Sequence, residues 1–115
     1  MYEEISNVEL LFKTEEGASA CNERQVIACG LDGAQLKIVR TSKGPITQCC
    51  FDKETYTVVT LLDETATKKL ADYYHAYSVE DLPKILAAVF DDVDADVSIR
   101  DLCNQLQVVV HTSEQ

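Results

Sequence analysis

Asp32-Gly33 stands between two strand-like runs, residues 25–31 and 34–41. A two-residue link of this kind suits a type I′ turn, whose central residues both need positive φ. It ties two neighbouring runs into one antiparallel hairpin, and no other feature of the chain constrains the fold as strongly. Three further runs extend the pattern. Residues 8–14 place Val8, Leu10 and Phe12 on one face. Ser42-Lys43-Gly44-Pro45 then breaks the chain, and residues 46–51 and 55–62 follow, joined by Asp52-Lys53-Glu54. In the last run Tyr56, Val58, Thr60 and Leu62 alternate with Val59 and Leu61, the period of a β-strand. The N-terminal half therefore reads as an antiparallel β-meander of about five strands.

The period changes after Leu62. Asp63 is placed to cap a helix with apolar positions Ala66, Leu70, Tyr73 and Tyr74. Ser78 or Asp81 starts the next helix, with Pro83 in its first turn. Leu82, Ile85, Leu86, Val89, Phe90 and Val93 follow at helical spacing, the strongest such stripe in the chain. Ser98-Ile99-Arg100-Asp101 resembles a capping box ahead of Leu102, Cys103 and Leu106. The same residues also fit a strand that turns at Asn104, and the helix is preferred. Residues 106–112, with Val108-Val109-Val110, read as a last strand returning to the sheet. The class is α+β: a meander, two or three helices packed on one face, and a candidate C-terminal strand.

The chain has 115 residues, 46% of them hydrophobic. That is enough for one domain over residues 1–115 with a core of its own. The start, Met1-Tyr2-Glu3-Glu4, has no apolar run behind it, and no stretch is long enough to span a bilayer. A cytoplasmic protein is expected. Five cysteines, Cys21, Cys29, Cys49, Cys50 and Cys103, show no C-x-x-C spacing. Free thiols in a reducing compartment are the reading.

The net charge is −10, unevenly placed: −3 over residues 1–70 and −7 over residues 71–115. Nucleic acid and anionic membrane both select a basic face, so neither is an expected partner. Asp92, Asp94 and Asp96 match positions 1, 3 and 5 of a calcium loop. Val97 stands where the turn needs glycine, however, and Cys103 where it needs a bidentate glutamate. The run reads as a solvated acidic connection, and no metal or cofactor is assigned. Cys49-Cys50, taken as strand residues, point to opposite faces and do not converge on an ion. Cys21 lies in a polar stretch, Ser19-Ala20-Cys21-Asn22, and is the thiol expected at the surface. No nucleophile elbow, P-loop or dinucleotide fingerprint occurs.

These features favour a non-enzymatic, acidic binding protein, of inhibitor or immunity type, that masks a basic surface on a protein partner. The candidate contact residues are Asp72, Tyr74, Tyr77, Glu80, Asp81, Asp91, Asp92, Asp94 and Asp96. Tyrosines next to acidic groups strengthen the reading, because tyrosine is enriched at interfaces. One alternative is a small-molecule binder or small enzyme with a pocket between sheet and helices, using His75, Cys50 and Tyr56. Another is a homo-oligomer formed through edge strands, which Glu9 and Lys13 guard only in part.

Overall fold

The computed structural model describes residues 5–14 and 23–114, so the stretch around Cys21 lies outside the described residues. Five antiparallel strands form one sheet in the order β1 (Ser6–Lys13), β2 (Arg24–Asp32), β3 (Gln35–Lys43), β4 (Thr55–Leu62), β5 (Val110–Glu114). A short helix, α1 (Pro45–Phe51), joins β3 to β4. Between β4 and β5 the chain builds α2 (Glu64–Tyr73), a 3-10 turn (Val79–Asp81), α3 (Leu82–Val89) and α4 (Ala95–Gln105). The α+β class holds, with four strands of the meander in the first half and the fifth supplied by the C-terminal strand. Among the described residues no helix is long and apolar enough to cross a membrane.

The hairpin is present, shifted by one residue. β2 and β3 pair without interruption from Arg24 with Lys43 to Asp32 with Gln35, so the turn centres on Gly33-Ala34. Of these two only Gly33 has positive φ, 64°. That is the pattern of a type II′ turn, which asks for glycine at its first central position only.

Alternation along the strands gives the sheet two faces. Ile27, Cys29, Leu31, Leu36, Ile38 and Leu62 face the helices and join Leu70, Leu82, Leu86, Ile99 and Cys103 in one core. Each fully buried leucine or isoleucine contributes about 1.5–3 kcal/mol. β1 departs from the expected facing. It is bulged between Ser6 and Glu9 and between Leu10 and Phe12, with Asn7 at φ 54°. An extra residue reverses which side chains point inward. Leu11 is therefore 3% exposed in the core, whereas Leu10 is 53% exposed. The bulged end of β1 lies directly on Gly30, where an added Cβ would meet Ile5 Cγ2 at 2.3 Å and the Ser6 carbonyl at 3.0 Å.

Residues 46–51 are helix, not strand. Pro45 opens α1, and Asp52, at φ 56°, closes it with its N–H on the Gln48 carbonyl. The N-terminal donors are met from another part of the chain. The Glu23 carboxylate accepts from the Ile46 N–H at 2.9 Å, and from the Thr47 N–H and hydroxyl. Cys49 and Cys50 consequently sit on a helix, and both are exposed.

α2 starts as expected, with the Asp63 carboxylate accepting from the Ala66 N–H at 2.8 Å, a cap worth about 0.5–2 kcal/mol. It ends in a Schellman motif. The Ala76 N–H donates to the Ala71 carbonyl and the His75 N–H to the Asp72 carbonyl, with His75 at φ 55°. α4 ends the same way: Val108 donates to Cys103, Gln107 to Asn104, and Gln107 has φ 58°. Residues 95–105 are thus a helix that begins three residues before Ser98, and the last strand begins at Val110.

Candidate functional site

The chain ahead of α3 holds Glu80 and Asp81, and the chain behind it holds Asp91, Asp92 and Asp94. All five are exposed. An eight-residue helix is about 12 Å long, so α3 holds the two groups apart. Asp72, in the last turn of α2, and the fully exposed Tyr77 belong with the first group, because the 3-10 turn packs against α2. The acidic residues therefore form two clusters. Lys84 is the one cation between residues 71 and 99. Among the described residues none of these six carboxylates is in an ion pair. Asp92 spends one oxygen on the Asp94 N–H at 3.0 Å, which shapes the connection into α4.

Asp96 is not part of this surface. It is 2% exposed, in the first turn of α4, and its carboxylate lies between two guanidinium groups. Arg40 reaches Oδ1 at 2.9 Å and Arg100 reaches Oδ2 at 3.5 Å. Arg40 also donates to the Val93 carbonyl at 2.6 Å and to Gln25, and Arg100 donates to the Thr60 hydroxyl at 3.0 Å. A carboxylate held in this way is closed to a partner and to calcium alike. The network fastens the α3–α4 connection to the sheet and so fixes where Asp91, Asp92 and Asp94 stand. Sequence reading missed Arg40, Gln25 and Thr60. They lie 56, 71 and 36 positions from Asp96 in a chain whose strand order was unknown.

Tyr74 is only half available. It packs against the core, and burial, followed by Tyr73 and Cys103, pushes its hydroxyl pKa up. Tyr73 meets it edge-on, ring centroids 4.9 Å apart, and is itself exposed. Of the tyrosines near the acidic groups, Tyr73 and Tyr77 thus offer more surface than Tyr74.

The groups considered for a pocket between sheet and helices do not assemble into one. His75 is the left-handed residue of a helix end, and its ring makes no hydrogen bond among the described residues. Cys50 is exposed on α1. Tyr56 stacks on Phe51 with centroids 3.9 Å apart, and its hydroxyl bonds to Glu114, which raises its pKa. Cys29 and Cys103 are core thiols. Burial, with Glu9 adding to it, pushes Cys29 up to about 12, and burial raises Cys103 as well. Neither is a nucleophile at neutral pH. Among the described residues no group of His, Cys, Asp and Glu is arranged to hold a metal ion.

The sheet face away from the helices carries a second feature. Lys37, Leu61 and His111 lie side by side on β3, β4 and β5. With Asp32, Val59, Thr112 and Ser113 they line a shallow groove of about 370 Å³. No family model matches this chain, and neither does any curated protein or solved structure.

Proposed function

We propose that this chain is a non-enzymatic binding protein that masks a basic surface on a protein partner, in the manner of an inhibitor or immunity protein. One observation carries the reading. The ion pairs among the described residues converge on one buried carboxylate, Asp96, while Asp72, Glu80, Asp81, Asp91, Asp92 and Asp94 stay exposed and unneutralised. Exposed clusters of negative charge on a small domain steer a cationic partner toward them and speed association. Asp91, Asp92 and Asp94 are the best placed, because the Arg40–Asp96 pair holds their connection in position.

The test begins with capture of partners from the host lysate at low salt and their release at moderate salt. The association rate of the captured basic protein is then measured with the Asp91→Lys/Asp92→Lys/Asp94→Lys variant. Steering of this kind changes on-rates by roughly 10- to 1,000-fold. We expect a loss in that range at low salt that shrinks as salt is added. An unchanged on-rate overturns the proposal.

A further inference from the structure

Resting on that reading, we infer that the α3–α4 corner receives a basic amphipathic helix, through an apolar ridge of Val89, Val93 and Val97 rimmed by carboxylates. The stripe that begins at Leu82 divides where α3 ends. Leu82 and Leu86 are in the core, but Val89 and Val93 are 51% and 41% exposed, and Val97, one turn into α4, is 42% exposed. These are three of the chain's exposed large apolar residues, and they fall within nine consecutive positions. Asp91, Asp92, Asp94 and Asp101 stand among and beside them, all exposed.

The chemistry of the occupant follows from that mixture. Acidic groups alone would serve any polycation, whereas exposed β-branched side chains add a surface that only an apolar partner group removes from water. The corner is made of two helices and their connection, so it has no free strand edge on which an extended peptide could form a ladder. Recognition here runs through side chains. A helix with one apolar stripe can lay that stripe on the valines. Lysine or arginine stems beside it cover apolar surface and place their charges at the carboxylates.

The test uses the full chain, isotope-labelled for NMR, and three synthetic peptides of equal length. The first is a helical Leu/Lys peptide, the second has every Leu replaced by Ser, and the third is a Leu/Glu peptide. We expect the Leu/Lys peptide to shift the amides of residues 88–101 and to bind at least tenfold more tightly than the Ser/Lys peptide. The Leu/Glu peptide should not bind there. Val89→Ser/Val93→Ser/Val97→Ser, all surface changes, should remove the tenfold advantage and leave Ser/Lys binding as it was. Equal affinities for the two basic peptides, or an advantage that survives the serine variant, overturn the ridge but leave the acidic reading standing. Binding of the Leu/Glu peptide at the corner overturns the role of the carboxylates. If neither basic peptide shifts residues 88–101, the ridge and the acidic reading fall together.

Discussion

Replacing Asp96 by asparagine keeps the shape of the side chain and removes the one charge that two arginines share. Taking away one member of a buried ion pair costs roughly 3–5 kcal/mol, because the remaining charge is left without compensation. Two features of this site lower that figure. The Arg40 and Arg100 side chains keep 19% and 27% of their exposure, so water recovers part of their solvation. Arg40 also retains the Val93 carbonyl and Gln25 as acceptors. The expected loss is about 2–3 kcal/mol, a large share of the 5–15 kcal/mol typical of a domain. Urea unfolding is the assay: the midpoint should fall while the slope stays constant. A cycle with Arg40→Met and Arg100→Met should assign most of the coupling to Arg40, whose contact is 2.9 Å against 3.5 Å. A loss below about 0.5 kcal/mol, the scale of an ordinary surface change, would refute the claim that Asp96 is a structural residue. Calcium should leave the wild-type midpoint unmoved.

Two further outcomes follow from the backbone and the thiols. His75 holds a left-handed conformation that costs a non-glycine residue about 1–2 kcal/mol, and glycine adds back about 0.4–1 kcal/mol of unfolded-chain entropy. His75→Gly should therefore stabilise the protein by roughly 0.5–1 kcal/mol in urea unfolding, and a loss would mean that the ring packs. For Cys29 the folded pKa lies above the ordinary 9.0, at about 12. Below pH 9 the thiol holds its proton in both states and stability does not depend on it. As pH rises from 9 to 12 only the unfolded chain has released the proton, so stability falls by up to about 1.4 kcal/mol per pH unit. Cys29→Ala should flatten the stability profile by that amount between pH 9 and 10.5, and parallel profiles for the two proteins would contradict the assignment.

Where neighbours in sequence are neighbours in space, the fold was legible. The β2–β3 hairpin, the alternation of β4, the Asp63 cap and the buried half of the α3 stripe all rest on contacts within a few residues. What escaped was set from a distance. Residues 46–51 have a strand-like composition, yet Glu23 supplies the cap that makes them a helix. The bulges of β1 leave no local mark, so the residue that enters the core, Leu11, lies outside the expected face of Val8, Leu10 and Phe12. At the candidate site the exposed aspartates could be recognised as a charge imbalance. Asp96 could not be separated from them, because its partner Arg40 lies on the central strand of a sheet whose order the chain does not announce. His75 and Gln107 show the converse. Both serve as helix-end residues where glycine is usual, so neither position carried the glycine that would have marked the stop.

β5 has a consequence for how the molecule stays apart from its own copies. It pairs with Val58–Leu62 of β4, a strand that reads Thr-Tyr-Thr-Val-Val-Thr-Leu-Leu over Thr55–Leu62, with no charge, proline or glycine. That composition is prone to stack into cross-β assemblies when its edge is bare. The strand that pairs with it comes later in the chain, after three intervening helices. From translation of β4 until that strand pairs, the nascent chain carries its most aggregation-prone edge unpaired. Once seated, Val110–Glu114 replaces that edge with one bearing histidine, threonine, serine and glutamate, all exposed. A polar outer strand of this kind acts as a gatekeeper, ending the ladder in side chains that discourage another strand from joining.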